Sequence, residues 1–537
     1  MPTVRDVTLD LLRELEMTTV FGNPGSTELP MLRDWPPDFR YVLALHEASA
    51  LGIAEGYARQ SGNAAFVNLH TAPGLGNAMG QMVTAWHNRT PLIVTAGQQH
   101  RGHIALEPML KGELVELARP YVKRSHEPRR PEDVPGEILR AYHTAMTAPQ
   151  GPVFLSIPMD DWDAELDAGP VEVTRVSYRH APDPEALGAA AEVLAAARNP
   201  AIVVGPGVAR SVGPKSSPEG FGSVVGLAER LAASVWQEGV VPLAGFPQRH
   251  PLFRGFLPLA QKFVAKTLAP HDAVLVIGTR VFSYYPYLPG PVVEGDTRVV
   301  LLTDDPEEAN FSPTGRSVVG DVELSCKGLL DLVPDSDRTP PDPAPEPQPP
   351  EATEPMSVAF VMDTVGRTLP DDAVISDEST SSKGMLHRYI KKDSPDSYLS
   401  SEAGGLGFCL PAAIGAKLAM PERAVACVIG DGSSMYSIQA LWTAASYGVG
   451  VVFVVVNNRG YSILKGFRDL LGLEGVPGLE VPGLDHTQIA RGLGVAGETV
   501  ESPDGLVPAL ERAMKAADVG QPYLVNAVVS GDVPPLV

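Results

Sequence analysis

Through most of the chain, apolar runs of strand length alternate with stretches whose apolar residues recur at helical spacing. Three series of this kind follow one another. In the first, 18–21, 41–45, 65–69, 92–96 and 153–157 read as strands, and 4–15, 48–61 and 76–88 as helices. In the second, a strand at 201–204 runs into Gly205-Pro206-Gly207, 224–233 is helical, and 273–277 and 299–302 are strands. The third is built around 424–467. There, 424–429 is a strand, Gly430-Asp431-Gly432-Ser433 a turn, and 437–447 a helix with Ile438, Leu441, Trp442 and Ala445 on one face. The β-branched run 451–456 is the next strand, broken by Asn457-Asn458-Arg459-Gly460. Strands alternating with helices predict an α/β protein made of three doubly wound parallel-sheet domains. The predicted domains are 1–160, 183–333 and 356–537, and element order makes the first and third two versions of one wound sheet. Between them lie two linkers, the acidic, proline-containing 161–182 and 334–355, which has nine prolines in 22 residues and cannot form a core.

Composition narrows the class. The 537 residues are 44% hydrophobic and 20% charged, as in a soluble globular protein. No run of 18 apolar residues predicts a membrane span and no early stretch reads as a secretory signal. Cys326, Cys409 and Cys427 have neither metal nor redox spacing and read as buried thiols of a reducing compartment, so a cytoplasmic location is expected. A formal charge of −22 argues against a nucleic-acid partner.

The candidate chemistry sits at two strand ends. Asp431 follows the first strand of the 424–467 unit and Asn458 follows the second, 27 positions later. Parallel strands joined by one helix can lie side by side, and α/β sheets bind ligands at their carboxyl ends. A carboxylate, an amide oxygen and a main-chain carbonyl suit a hard divalent cation, and Mg2+ shares its shell with phosphates. Glycines on both sides of Asp431 let a diphosphate approach the backbone. The Gly-rich turn GPGVAR at 205–210 lacks the GxGxxG spacing, so the middle domain is expected to be structural rather than dinucleotide-binding.

The GDGS…NN pair at this spacing matches the motif of thiamine-diphosphate enzymes, and further stretches make the match specific. They are VFGNPGSTELP at 20–30, LALHEA at 43–48, NLHTAPGLGN at 68–77, PLIVTAGQQ at 91–99, PQGPV at 149–153 and AGGLGF at 403–408. Together they resemble the benzoylformate decarboxylase family, bacterial enzymes that use thiamine diphosphate to cleave an aromatic 2-oxo acid to an aldehyde and CO2. The resemblance covers essentially the whole chain. It implies thiamine diphosphate with Mg2+ (or Ca2+) held by Asp431, Asn458 and the carbonyl of Gly460. Further cofactor contacts would come from Glu47, Leu406, Gly430, Gly432, Ser433, Tyr461, Thr380 and Ser381. Glu47 would hydrogen-bond the aminopyrimidine ring, and Leu406 would prop the cofactor in a bent form. Ser26 would hold the substrate carboxylate or carbonyl, and His70 would relay protons near neutral pH. Ile463, Leu464 and Phe467 would line the substrate pocket, with Met109 and Leu110 opposite. The partner implied is a small 2-oxo acid, with no nucleic acid or membrane. The active site would lie between the first domain of one subunit and the third of another, in at least a homodimer and usually a homotetramer.

The sequence departs from that family in places. Tyr285 stands where a second catalytic histidine is expected, and a phenol of pKa near 10 is a poor proton shuttle. Ile463 is bulkier than the small residue expected there. Lys383, expected to be a solvated surface residue, puts a cation near Thr380 and Ser381. These changes leave open a carboligase or lyase with another donor, or an acetolactate-synthase-like enzyme.

Overall fold

The computed structural model describes residues 1–167, 171–214, 220–282 and 284–533. Three six-stranded sheets, every strand pair parallel, form the frame. The first runs, edge to edge, Arg40–Leu43, Thr19–Gly22, Ala65–Leu69, Leu92–Gln98, Val153–Pro158, Ser125–His126. The third runs Tyr398–Leu399, Val374–Glu378, Val425–Gly430, Val452–Asn457, Tyr523–Val528, Ala496–Val500. Numbered within each sheet, both have the order 2-1-3-4-6-5, so the first and third units are the same wound sheet. The middle sheet runs Arg316–Val319, Arg298–Thr303, Ala273–Ile277, Pro200–Val204, Ser234–Gln237, Phe253–Phe256, a different order that reverses between Ala273–Ile277 and Pro200–Val204.

The central strands are buried on both faces, as their unbroken apolar sequences require. Among the elements the apolar pattern did not mark, two are hard to read locally. The edge strand Ser125–His126 has two residues, and the helix Val134–Met146 lies in an arginine- and proline-rich stretch. The predicted helix 437–447 is realised as Ala440–Ser446, and the predicted turn 430–433 is a short helix, Asp431–Ser434. Between them the amides of Met435, Tyr436 and Ser437 bond three residues back, while the Ser434 hydroxyl bonds the Asp431 carbonyl. Serine side chains that compete for backbone groups break a helix in this way.

After Val153–Pro158 the chain stays with the first unit. Trp162 and Leu166 are buried in its core, and Leu166 donates its amide to Pro2. The predicted linker 161–182 therefore begins as packed structure, and its residues 168–170 lie outside those described. The segment 334–355 carries no helix or strand.

The first and third units meet through helices Glu47–Ser61 and Cys409–Ala419. A Cβ at Gly56 would collide with the Ala412 backbone, and one at Gly415 with the Ile53 carbonyl. Glycine lets these two backbones come into contact.

Candidate active site

In the first unit, the loops leaving the first three strands collect one set of polar groups. Glu47 opens its helix behind the N-cap His46, and is buried. Its carboxylate accepts from Asn77 Nδ2 at 3.1 Å and from Asn23 Nδ2 at 3.4 Å. The 23–28 loop carries Ser26, which is exposed, and then Glu28, which is buried. Glu28 accepts from His70 Nδ1 at 2.9 Å, Thr27 Oγ1 at 2.7 Å, and the amides of Gly25 and Gly97 at 2.8 and 2.9 Å. With Nδ1–H bound to this carboxylate, Nε2 is the nitrogen of His70 left for other chemistry. A Cβ at Gly25 would strike the His70 ring, and one at Gly97 would strike Glu28, so glycine is required at both positions.

In the third unit, the carboxyl ends of three strands surround a cleft lined by 379–382, 430–433, 460–463, Val456 and Asn458. Asp431 Oδ2 accepts from the Gly460 amide at 3.1 Å, and Asn458 Oδ1 from the same amide at 3.2 Å. The two oxygens that sequence separates by 27 positions thus converge on one backbone atom. Burial pushes the Asp431 carboxyl up, against hydrogen bonds from the Gly432, Gly460 and Arg459 amides and the field of His486. Among the described residues no lysine, arginine or histidine forms an ion pair with it. A buried carboxylate beside an amide oxygen, with the Ser462 hydroxyl buried and unpartnered nearby, is a donor set that fits a hard divalent cation. Thr380, Ser381, Ser433, Tyr461 and Ile463 line the same cleft.

Three supports were not foreseen. Glu378, buried at the end of Val374–Glu378, accepts from the amides of Gly407, Phe408 and Cys409 at 2.7, 2.9 and 2.9 Å, and so holds the glycine-rich loop of half-buried Leu406. Burial pushes this carboxyl up to about 7. Its signal was available, since it is a carboxylate at a parallel strand's carboxyl end, like Asp431. Glu28 stands two residues after Ser26 and was legible only as part of the motif. Buried His486 donates from Nε2 to the Asp431 carbonyl at 3.2 Å across a long stretch of chain, and no local pattern marks it.

Tyr285 is 64% exposed, and its ring lies 5.2 Å from that of Phe467 on helix Ser462–Leu470, bringing the middle unit over the third. Leu464, on that helix, is exposed. Lys383 is not the solvated lysine expected. Its side chain is mostly buried, with Nζ donating to Ser400 Oγ at 2.7 Å and standing 3.6 Å from the buried Asp377 carboxylate. Met109, exposed, and Leu110 sit on a first-unit loop. None of the residues lining the third-unit cleft comes from the first unit. Within one chain the structure therefore forms two separate half-sites, with Ser26, Glu47 and His70 in one, and Asp431, Asn458, Gly460, Thr380 and Ser381 in the other.

The middle sheet's own crevice is closed. A Cβ at Gly207 would strike Gly278, and Arg89 of the first unit reaches in to pair with Asp305 at 2.6 Å and Glu308 at 2.8 Å. Asp304, Asp305 and Glu308 follow the neighbouring strand Arg298–Thr303, and negative charge beside the crevice disfavours a pyrophosphate there.

Two like wound sheets around a structural third, with a glycine-flanked carboxylate and an amide oxygen converging in a cleft, define a thiamine-diphosphate-binding enzyme. Comparison with known families agrees. "Thiamine pyrophosphate enzyme, N-terminal TPP binding domain" matches residues 2–117, the central domain of that family 187–329, and its C-terminal TPP binding domain 378–527. Benzoylformate decarboxylase of Pseudomonas aeruginosa is 42% identical over 534 residues, covering 98% of both chains. The crystal structure of benzoylformate decarboxylase from Polynucleobacter necessarius superposes with a TM-score of 0.95 at 37% identity, covering 100% of both chains. The thiamine diphosphate-dependent 4-hydroxybenzoylformate decarboxylase of Rhodococcus jostii gives 0.93 at 40% identity, covering 99% of this chain and 100% of its own. The chain belongs to the thiamine pyrophosphate enzymes, and within them to the benzoylformate decarboxylase-like 2-oxo-acid decarboxylases. Among the described residues no helix is long and apolar enough to cross a membrane.

Proposed function

We propose that this enzyme performs thiamine-diphosphate- and Mg2+-dependent, non-oxidative decarboxylation of a benzoylformate-like aromatic 2-oxo acid to an aldehyde and CO2, with carboligation as a side activity. The observation that carries the reading is the His70–Glu28 pair beside Glu47, a proton-handling set joined by one loop. The names of the Pseudomonas aeruginosa and Rhodococcus jostii relatives support the aromatic substrate.

Asp431, Asn458 and the Gly460 carbonyl would hold the cation, with Gly430, Gly432, Ser433, Thr380, Ser381 and Tyr461 around the diphosphate. Glu47 would hydrogen-bond the aminopyrimidine, and Leu406 would support the cofactor's fold. The bound cofactor supplies the electron sink for loss of CO2. Ser26 would orient the substrate carboxylate. His70 would pass a proton from Nε2 to the substrate carbonyl oxygen while Glu28 stabilises the charged imidazole. Ile463, Leu464 and Phe467, with Met109 and Leu110 of another chain, would form the apolar wall that excludes water. Tyr285 OH would serve as a hydrogen-bond donor at that wall. The separation of the half-sites supports an active site shared between chains, hence at least a homodimer, with a cytoplasmic homotetramer as the full reading. The closed middle crevice argues against an acetolactate-synthase-like flavin enzyme.

The test is CO2 and aldehyde release from benzoylformate, pyruvate and branched 2-oxo acids, with and without thiamine diphosphate and Mg2+. Benzoylformate should turn over fastest, and dialysis against a chelator should abolish activity until both are restored. Tyr285 in place of histidine favours a second reading, a carboligase or lyase with another donor. Negligible CO2 from every acid, with cofactor bound, would select it.

A further inference from the structure

The loop 379–382, one wall of the third-unit cleft, is held from behind by a single carboxylate. Asp377 lies one residue before the end of strand Val374–Glu378, and its side chain is fully buried. Its Oδ1 accepts from the Ser379 amide at 2.9 Å and from Ser379 Oγ at 2.6 Å, and its Oδ2 accepts from Tyr398 OH at 2.7 Å. Lys383, the first residue of helix Lys383–Tyr389, turns back toward the same carboxylate. Its Nζ stands 3.6 Å from Asp377 Oδ2 and donates to Ser400 Oγ at 2.7 Å. That hydroxyl donates in turn to the Asp377 carbonyl at 2.8 Å. One carboxylate therefore fixes the loop where it starts, at Ser379, and where it ends, at Lys383. Thr380, Ser381 and Ser382 span the two anchors. Burial pushes the Asp377 carboxyl up, but the Lys383 charge and the bonds from Ser379 and Tyr398 outweigh it and hold the group below the usual carboxylate range. The other buried lysine nearby, Lys392, does not take this part. Its Nζ donates to the Ile390 carbonyl at 2.6 Å and lies 5.1 Å from the centre of the Tyr398 ring. Among the described residues, Lys383 is the cation that pairs with Asp377.

We infer that Asp377 and Lys383 are positioning residues for cofactor binding, whose ion pair locks the 379–382 loop in the form that receives thiamine diphosphate. Neither residue lines the cleft, so each acts only through the loop. Hydroxyls such as those of Thr380 and Ser381 bind a phosphate oxygen only within about 2.5–3.0 Å, and a wall that shifts by an ångström loses such bonds. A buried charge pair resists that shift, because parting it would leave Asp377 as an uncompensated buried charge. Groups one layer behind a metal's ligands tune affinity by about 10- to 100-fold, and the same range is expected here. The inference rests on the thiamine-diphosphate cleft and is independent of which 2-oxo acid is the substrate.

The test is calorimetric titration of the full-length apoenzyme with thiamine diphosphate in saturating Mg2+, beside CO2 release at saturating cofactor. Lys383→Met, which keeps the length of the side chain and removes its charge, should weaken cofactor binding about 10- to 100-fold, and so should Asp377→Asn, which leaves Lys383 unpaired. In both, kcat at saturating cofactor and KM for the 2-oxo acid should stay within about twofold of wild type. The double variant Asp377→Asn/Lys383→Met removes both charges and keeps an oxygen that accepts from Ser379. Its loss of affinity should be smaller than that of either single variant, the mark of two residues acting as a pair. Unchanged cofactor affinity in Lys383→Met would overturn the proposal, as would losses that add in the double variant, or a fall in kcat as large as the fall in affinity. If the single variants do not fold, Tyr398→Phe decides, since it removes one donor from Asp377 and keeps the ring. It should weaken cofactor binding about 3- to 10-fold, and unchanged affinity would overturn the proposal. A wild-type apoenzyme that takes up no thiamine diphosphate would overturn the cofactor reading and this inference together, whereas normal wild-type uptake with unchanged variants would overturn this inference alone.

Discussion

At the scale of single residues, function rests on partners that the sequence motifs did not point to. In the proposed reaction Glu28 would be a positioning residue, because it would act through His70 Nδ1, which it holds. Glu28→Gln should lower kcat by about 10²–10⁴-fold, the range of a positioned acid–base group, while KM for the 2-oxo acid changes little. Steady-state CO2 release measures both, and a raised KM with kcat unchanged would mean that Glu28 serves binding instead. Lys383 shows how a motif-level expectation fails. Lys383 was expected to be a solvated surface residue, but its tertiary neighbour is a buried carboxylate, Asp377, already held by Ser379 and by Tyr398 OH at 2.7 Å. Lys383→Met should cost about 1–3 kcal/mol in urea unfolding, the range for leaving a buried polar partner unmatched. A change below a few tenths would place Lys383 outside that network.

At the scale of elements, helix Glu47–Ser61 carries a catalytic candidate at its start and a packing seam along its length. Gly56 lies against the Ala412 backbone, so Gly56→Ala must push two helices apart. The expected loss is about 1–3 kcal/mol, as for other overpacked cores, read from the denaturation midpoint. The same helix buries Glu55, whose carboxyl accepts from Asn88 Nδ2 at 2.7 Å and Thr90 Oγ1 at 2.9 Å. Burial raises it from 4.5 to about 7. Between those values the unfolded chain has lost this proton and the folded chain keeps it, so its contribution to stability declines as pH rises through about 7. Glu55→Gln removes the titration. Relative to wild type, the variant should gain stability between pH 5 and pH 8, by at most about 3 kcal/mol. A constant difference across that range would rule out a raised Glu55.

At the scale of the whole molecule, one chain does not bring Glu47 to the Asp431 cleft. If active sites form between chains, homomers of Glu47→Gln and of Asp431→Asn should each be inactive. Mixing them with subunit exchange should restore part of the wild-type turnover, because some sites then carry both native halves. No recovery in verified hybrids would place both groups on one chain.

Sequence alone determined the architecture. Central strands of parallel sheets are buried on both faces, so their apolar runs stand out locally. A cofactor motif at strand ends is also legible, since Gly430-Asp431-Gly432 and Asn457-Asn458 each follow a strand directly. Tertiary structure alone decided what those groups touch. It set Glu28 under His70, Glu378 under the Leu406 loop, His486 behind Asp431, and Arg89 in the middle crevice. Such pairings join side chains far apart in sequence, and no periodicity encodes them. They follow from where the sheets dock, and docking is fixed by volume and backbone contact, as at Gly56 and Gly415, rather than by any local pattern.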